Sequence, residues 1–213
     1  MSQRGIADVL SDRAAQAGLS IPDPLSSRLT VYFQILERWN RKINLTSLSD
    51  PNEAVDRLLL EPVAAAKHLP PGEDLIDLGS GGGSPAVPLA LALGASRLVM
   101  VESRVRKAAF LREAAREVGL GGSVETSRFE DVAADQRFAG HFGIASVRAV
   151  RLDDVLFDSV GQLLRPGGQA ALFRALDAPN PPPGLPPSLR CVATHRLIPA
   201  SRSALTLLEK RST

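Results

Sequence analysis

Leu25, Leu29, Tyr32, Phe33, Leu36 and Trp39 recur at intervals of three and four residues, which predicts an amphipathic helix with Asp23 as its cap. Upstream, Ile6, Val9 and Leu10 share one face of a shorter helix over residues 1–18, ending near Gly18. Ile21-Pro22-Asp23-Pro24 separates the two. The longer helix runs into Asn40-Arg41-Lys42-Ile43-Asn44-Leu45-Thr46, and Asp50-Pro51 opens a third helix over roughly 52–68 that Pro62 should kink. Pro70-Pro71-Gly72 then punctuates the chain. Residues 1–72 therefore read as a helical region and 73–213 as a second domain.

Beyond that boundary, strand and helix patterns alternate. Strands are expected over 75–78, 97–102, 124–127, 142–147 and 169–174, with helices over 86–93, 104–118 and 153–164. The connection after 124–127 is weakly defined. Leu164-Arg165-Pro166-Gly167-Gly168 reads as a tight turn, and the proline-rich residues 178–187 read as a loop. Residues 190–197 and 204–209 suit an antiparallel hairpin. The expected fold is α/β: a mostly parallel, doubly wound sheet with an edge hairpin, preceded by helices.

Composition narrows the functional classes. With 213 residues and 44% hydrophobic content the chain can bury a sizeable core and is not a disordered polymer. The formal net charge is +2, so any nucleic-acid surface must be a local patch. Cys191 is the only cysteine, which excludes an intramolecular disulfide and a cysteine-based zinc site, and no metal is expected. Asp8, Asp12 and Arg13 interrupt the start of the chain, and no apolar run reaches spanning length. A cytoplasmic, soluble monomer with no membrane contact is the expectation.

The chemistry concentrates in Leu75-Ile76-Asp77-Leu78-Gly79-Ser80-Gly81-Gly82-Gly83-Ser84-Pro85. A strand, a glycine turn and a helix in that order build a nucleotide pocket in open α/β sheets. Asp77 is expected at the rim. Two readings compete here. Asp77-x-Gly79-x-Gly81-x-Gly83 suits the acidic glycine turn of S-adenosylmethionine (SAM) methyltransferases. Gly81-x-Gly83-x-x-Ala86 suits a nicotinamide dinucleotide fingerprint, and Glu102 suits either as the ribose-binding acid. The acid before the turn, the glycine directly after the strand, the Leu-Leu-Arg-Pro-Gly-Gly run and the closing hairpin favour SAM.

Several segments carry a family resemblance. Trp39–Thr46, Asp77–Leu89, Glu102–Arg112, Ser127–Asp131, Ser146–Ala149 and the closing hairpin resemble the bacterial small-subunit ribosomal RNA guanine-N7 methyltransferases (RsmG, also called GidB). The resemblance implies a class I SAM-dependent fold, with ribosomal RNA or the small ribosomal subunit as partner. It also implies that Asp77, Gly79, Gly81, Gly83 and Ser84 lie along the cofactor, with Glu102 on its ribose and Phe129 and Glu130 beside its adenine. Arg148, at the end of the fourth strand, would border the cofactor and face the reacting centre or the RNA. The chain departs from the family at Ser84 (family Phe), at Ala86 (family Gly), over Arg57–Pro62 (family Arg-His-x-x-Asp-Ser), and at Arg174-Ala175, where the family has Lys-Gly.

Guanine N7 offers a lone pair and carries no proton, so its methylation needs positioning rather than a general base. That agrees with the lack of a nucleophile–base set; His68, His141 and His195 are scattered along the chain. For RNA contact, Arg38, Arg41 and Lys42 flank Trp39, and Arg104, Arg106, Lys107 and Arg112 crowd one helix; Arg41, Lys42, Arg104 and Lys107 are the candidates among them. A paralogous methyltransferase with a small-molecule or other RNA substrate is the alternative within this fold. A NAD(P)-dependent oxidoreductase is the alternative outside it.

Overall fold

The computed structural model describes residues 5–212. Helix α1 (Ile6–Gln16) and helix α2 (Asp23–Asn40) follow the apolar spacing; the part of the first helix expected over residues 1–4 lies outside the described residues. Asp23 is not the cap. It is the first helical residue, behind Pro22, and makes no capping bond, because Pro22 holds the extended geometry that the N-cap needs.

The third helix is broken rather than bent. It runs as α3 (Pro51–Val55), a π-helical turn (Asp56–Leu60), α4 (Glu61–Ala65) and a short 3₁₀ turn (Ala66–His68). Asp50 caps it through the N–H groups of Asn52 and Glu53. Pro62 cannot donate to the residue four back, and the irregularity sits in the turn before it.

From Leu75 onward the chain builds a seven-stranded sheet in the order β3-β2-β1-β4-β5-β7-β6. The strands are β1 (Leu75–Leu78), β2 (Leu98–Val101), β3 (Gly122–Glu125), β4 (Phe142–Arg148), β5 (Leu164–Ala175), β6 (Leu189–Arg196) and β7 (Ser203–Lys210). The first five are parallel and β7 runs antiparallel between β5 and β6, which is the expected mostly parallel sheet with an edge hairpin. Helices α5 (Ala86–Leu93), α6 (Val105–Glu117), α7 (Phe129–Ala134) and α8 (Asp154–Leu163) connect the parallel strands.

Three details differ from expectation. Strand β3 begins two residues early, at Gly122, where a Cβ would stand 1.8 Å from the Leu98 carbonyl oxygen. Only glycine can start that strand, and glycine is no strand signal in a sequence. Helix α7 was not expected, since six residues are too few to show a period. The Arg165–Gly168 turn is a bulge inside β5: Leu164 pairs with Phe142 and Gln169 with Ile144, so four residues face one.

Side chains alternate across the sheet. Leu75, Leu98, Met100 and Ile144 join the core beneath α1–α6, while Ile76, Leu78, Val99 and Val101 join the core beneath α7 and α8. The first core runs without interruption from Leu10 and Leu29 to Leu75 and Phe110, across the change from helices to strands at Pro70–Gly72. The order reverses between β1 and β4, and a ligand crevice in such a sheet opens at the carboxyl ends of those strands.

Candidate cofactor and nucleic-acid site

The glycine turn begins where β1 stops. The N–H groups of Gly79 and Ser80 both donate to the Val101 carbonyl of β2, at 3.0 and 2.9 Å, which folds the chain sharply over the sheet edge. Gly79 has φ +74°, and a Cβ there would lie 2.8 Å from Val150 Cγ2. A side chain at 79 is thus opposed by both backbone and neighbour.

The N-terminal helices press on this turn. Tyr32, fully buried, donates its hydroxyl to the Gly82 carbonyl at 2.6 Å. Asn40 accepts from the N–H groups of Leu45 and Thr46 and donates to the Thr46 carbonyl, closing the 41–46 loop. That loop brings the Leu45 carbonyl to 3.1 Å from where a Gly82 Cβ would stand. The Trp39–Thr46 motif therefore has a local reason: it is the outer wall of the glycine turn.

A cavity of about 490 Å³ opens beside the turn, within the range of small-ligand pockets. It collects Gly79 from the β1 end, Glu102 and Ser103 from the β2 end, and Phe129 and Glu130 from the start of α7. Val150, Asp153 and Val155 close it from the segment after β4. A second cavity of about 340 Å³ lies on the other side of the turn, lined by Gly79–Gly82, Ser84, Arg57, Lys107 and Arg148. Sequence reasoning missed Val150 and Asp153. The only available signal was their place just past a strand end, with Asp153 capping α8 through the Leu156 N–H.

Glu102 is 8% exposed and holds two backbone donors, one on each carboxylate oxygen: Gly81 N–H at 3.0 Å and Arg104 N–H at 2.8 Å. It both caps the approach to α6 and tethers the glycine turn. Asp77 is not at the rim. It is 1% exposed beneath the turn, because its place in the strand alternation points it toward the N-terminal helices. Its sheet neighbour Ser146 donates to it at 2.5 Å. Burial raises the Asp77 pKa to about 6, against the hydrogen bonds that favour its charged form.

Arg148 ends β4 inside a network. Its guanidinium donates to Glu61 at 2.7 Å, to the Arg57 carbonyl at 2.6 Å and to Ser84 Oγ at 3.3 Å, and it stacks 4.5 Å over Phe173. Its side chain is 9% exposed and that of Glu61 is 3%; Ser201 completes the Glu61 site with a short hydrogen bond. Burial lowers the Arg148 pKa to about 10, opposed by Glu61. Such a pair adds little net stability, yet breaking it by removing one partner costs about 3–5 kcal/mol, so its main effect is to fix geometry. Ser84 faces this network and donates to the Leu58 carbonyl at 2.9 Å.

The basic candidates divide into two sets. Arg38 pairs with Glu113, which also accepts from Trp39 Nε1 at 3.0 Å, and the Trp39 ring packs on Phe110. Arg112 is spent on the Val124 carbonyl and Thr126. Arg41, Lys42, Arg104 and Lys107 form no ion pair among the described residues. Helices α2 and α6 pack antiparallel, with Arg28 on Val118 and Arg38 on Glu113. The end of α2 and the start of α6 therefore lie on one side, and Lys107 lines the second cavity with Leu45 and Thr46.

Residues 25–179 match the family model of the rRNA small subunit methyltransferase G family, GidB. The chain belongs to this family. It is 40% identical over 164 residues to the ribosomal RNA small subunit methyltransferase G of Stenotrophomonas maltophilia, covering 76% of this chain and 74% of that protein. The protein of the same name from Pseudomonas paraeruginosa is 32% identical over 212 residues, 97% of this chain and 96% of the relative. Among solved structures, a Klebsiella pneumoniae protein named as an O-methyltransferase aligns with TM-score 0.63 at 14% identity, over 95% of this chain and 96% of that one. A mutant of MtNAS in complex with S-adenosylmethionine aligns with TM-score 0.59 at 13% identity, over 99% of this chain and 100% of that one. These neighbours share the fold. Within the GidB match fall the glycine turn, Glu102, Phe129, Glu130 and Arg148.

Proposed function

We propose that this protein transfers the methyl group of SAM to N7 of a guanine in 16S ribosomal RNA. The observation that carries this reading is the 490 Å³ cavity, which gathers Gly79, Glu102, Phe129 and Glu130 from the ends of three successive parallel strands. Its chemistry fits the cofactor. Each Glu102 oxygen accepts one backbone N–H and keeps a lone pair for a ribose hydroxyl. The Phe129 ring offers an apolar flank for adenine, and Gly79 leaves the backbone open for close approach.

When bound, SAM would supply an electrophilic sulfonium methyl to the N7 lone pair, with the neutral thioether as the leaving group. No proton leaves N7, so the protein needs no base there. Its residues orient the reactants and exclude water. In this reading Arg148 acts by position, holding the end of β4 and the second cavity in place rather than attacking anything.

Arg41, Lys42, Arg104 and Lys107 are proposed to meet RNA phosphates. RNA binding should then weaken steeply with salt, and replacing any one of them with alanine should reduce the slope of log K against log salt by about one contact. SAM affinity should stay the same in those variants. Fluorescence titration of a 16S fragment across salt concentrations checks both. Salt-insensitive RNA binding would point to the small-molecule alternative, and tight NAD(P) binding without SAM binding would point to the oxidoreductase.

A further inference from the structure

Two departures from the family pattern, the Arg57–Pro62 segment and Ser84, meet in space at the Leu58 carbonyl. In regular helix bonding the N–H of residue 62 would serve the Leu58 carbonyl; in π spacing it would serve Arg57. Residue 62 is proline and has no N–H. The Glu61 N–H, which could have served Arg57, goes instead to Asp56. Both carbonyls thus lose that backbone donor, and the one on buried Leu58 is costly to leave unpaired.

Two side chains from the site take them. Ser84 Oγ donates to the Leu58 carbonyl at 2.9 Å, and Arg148 donates to the Arg57 carbonyl at 2.6 Å. The two donors also touch each other, at 3.3 Å. Ser84 follows the glycine turn directly, and Arg57, Leu58, Gly79–Gly82, Ser84 and Arg148 all line the second cavity.

We propose that Ser84 is a positioning residue that acts through Pro62. Its hydroxyl replaces the N–H that proline withdraws, and so fastens the far end of the glycine turn to the helix beyond it. The inference rests on the reading of that turn as the cofactor's cradle. Its signature is conditional: Ser84 matters to the cofactor only while residue 62 lacks a donor.

The test is a four-protein cycle on the full chain: wild type, Ser84→Ala, Pro62→Ala and the double variant, with SAM dissociation constants from calorimetry. Loss of one such hydrogen bond predicts roughly a fivefold weakening for Ser84→Ala in the wild-type background. Pro62→Ala restores the donor for the regular bond to the Leu58 carbonyl, and in that background the same change should cost less than twofold. Ser84→Thr, which keeps the hydroxyl, should bind like wild type. Amide hydrogen exchange at Gly81–Gly83 should quicken in Ser84→Ala alone. Equal losses in both backgrounds, or none in either, overturn the proposal. A wild-type protein that binds no SAM would instead overturn the cofactor reading, so the two failures are distinct.

Discussion

Glutamine at position 102 is expected to weaken SAM binding by roughly 10- to 100-fold, the cost of losing a charge-assisted hydrogen bond of about 1.5–3 kcal/mol. The change keeps the size of the side chain and removes only its charge and half of its acceptors. Glu102 accepts from the N–H groups of both Gly81 and Arg104. Glutamine has one acceptor oxygen, so its NH₂ must face one of those N–H groups, donor against donor. The glycine turn loses its tether, or the start of α6 loses its cap, and a ribose hydroxyl loses an ionised partner in either case. Calorimetry on wild type and Glu102→Gln decides the matter. A dissociation constant within twofold of wild type would reduce Glu102 to a helix cap.

The second large effect is expected at Gly79, and it comes with an internal control. Alanine there must adopt φ +74°, at about 1–2 kcal/mol, and its Cβ meets Val150 Cγ2 at 2.8 Å. Val150 is β-branched and stiff, and it walls the 490 Å³ cavity, so displacing it should reshape the space proposed for the ligand. At Gly81 the nearest atom to an added Cβ is the Gly79 carbonyl oxygen at 3.7 Å, so the clash is absent. Gly79→Ala should lose at least about tenfold in SAM affinity, while Gly81→Ala, strained only in its backbone, should lose less. Both variants should remain folded by circular dichroism. The reverse order would mean that the cofactor lies against Gly81 and the second cavity.

Much of this site could be read from residue spacing. The strand–glycine–helix order placed the turn and offered Glu102, the family resemblance supplied Phe129 and Glu130, and all three side chains line the cavity beside Gly79. What spacing could not supply was direction. Asp77 looks like a rim carboxylate by its distance from Gly79, but strand alternation turns it inward to Ser146. Arg38 and Arg112 look like members of a basic patch, yet each is spent on a long-range partner that only the packing of α2, α6 and β3 creates. The π turn before Pro62 is of the same kind. A proline announces a missing bond, and the structure alone shows that Ser84 and Arg148 fill the gap.

Methylation of a guanine of 16S ribosomal RNA at N7, with SAM as donor, leaves a product that can be mapped directly. The most direct test incubates purified protein with SAM and small ribosomal subunits or 16S RNA from cells lacking this protein. Borohydride and aniline cleavage then maps N7-methylguanine, with Glu102→Gln as the control. One new cleavage site is expected in 16S RNA, needing both SAM and the wild-type protein and strongly reduced with the variant. SAM binding with no new N7-methylguanine in any 16S substrate would contradict the proposed function.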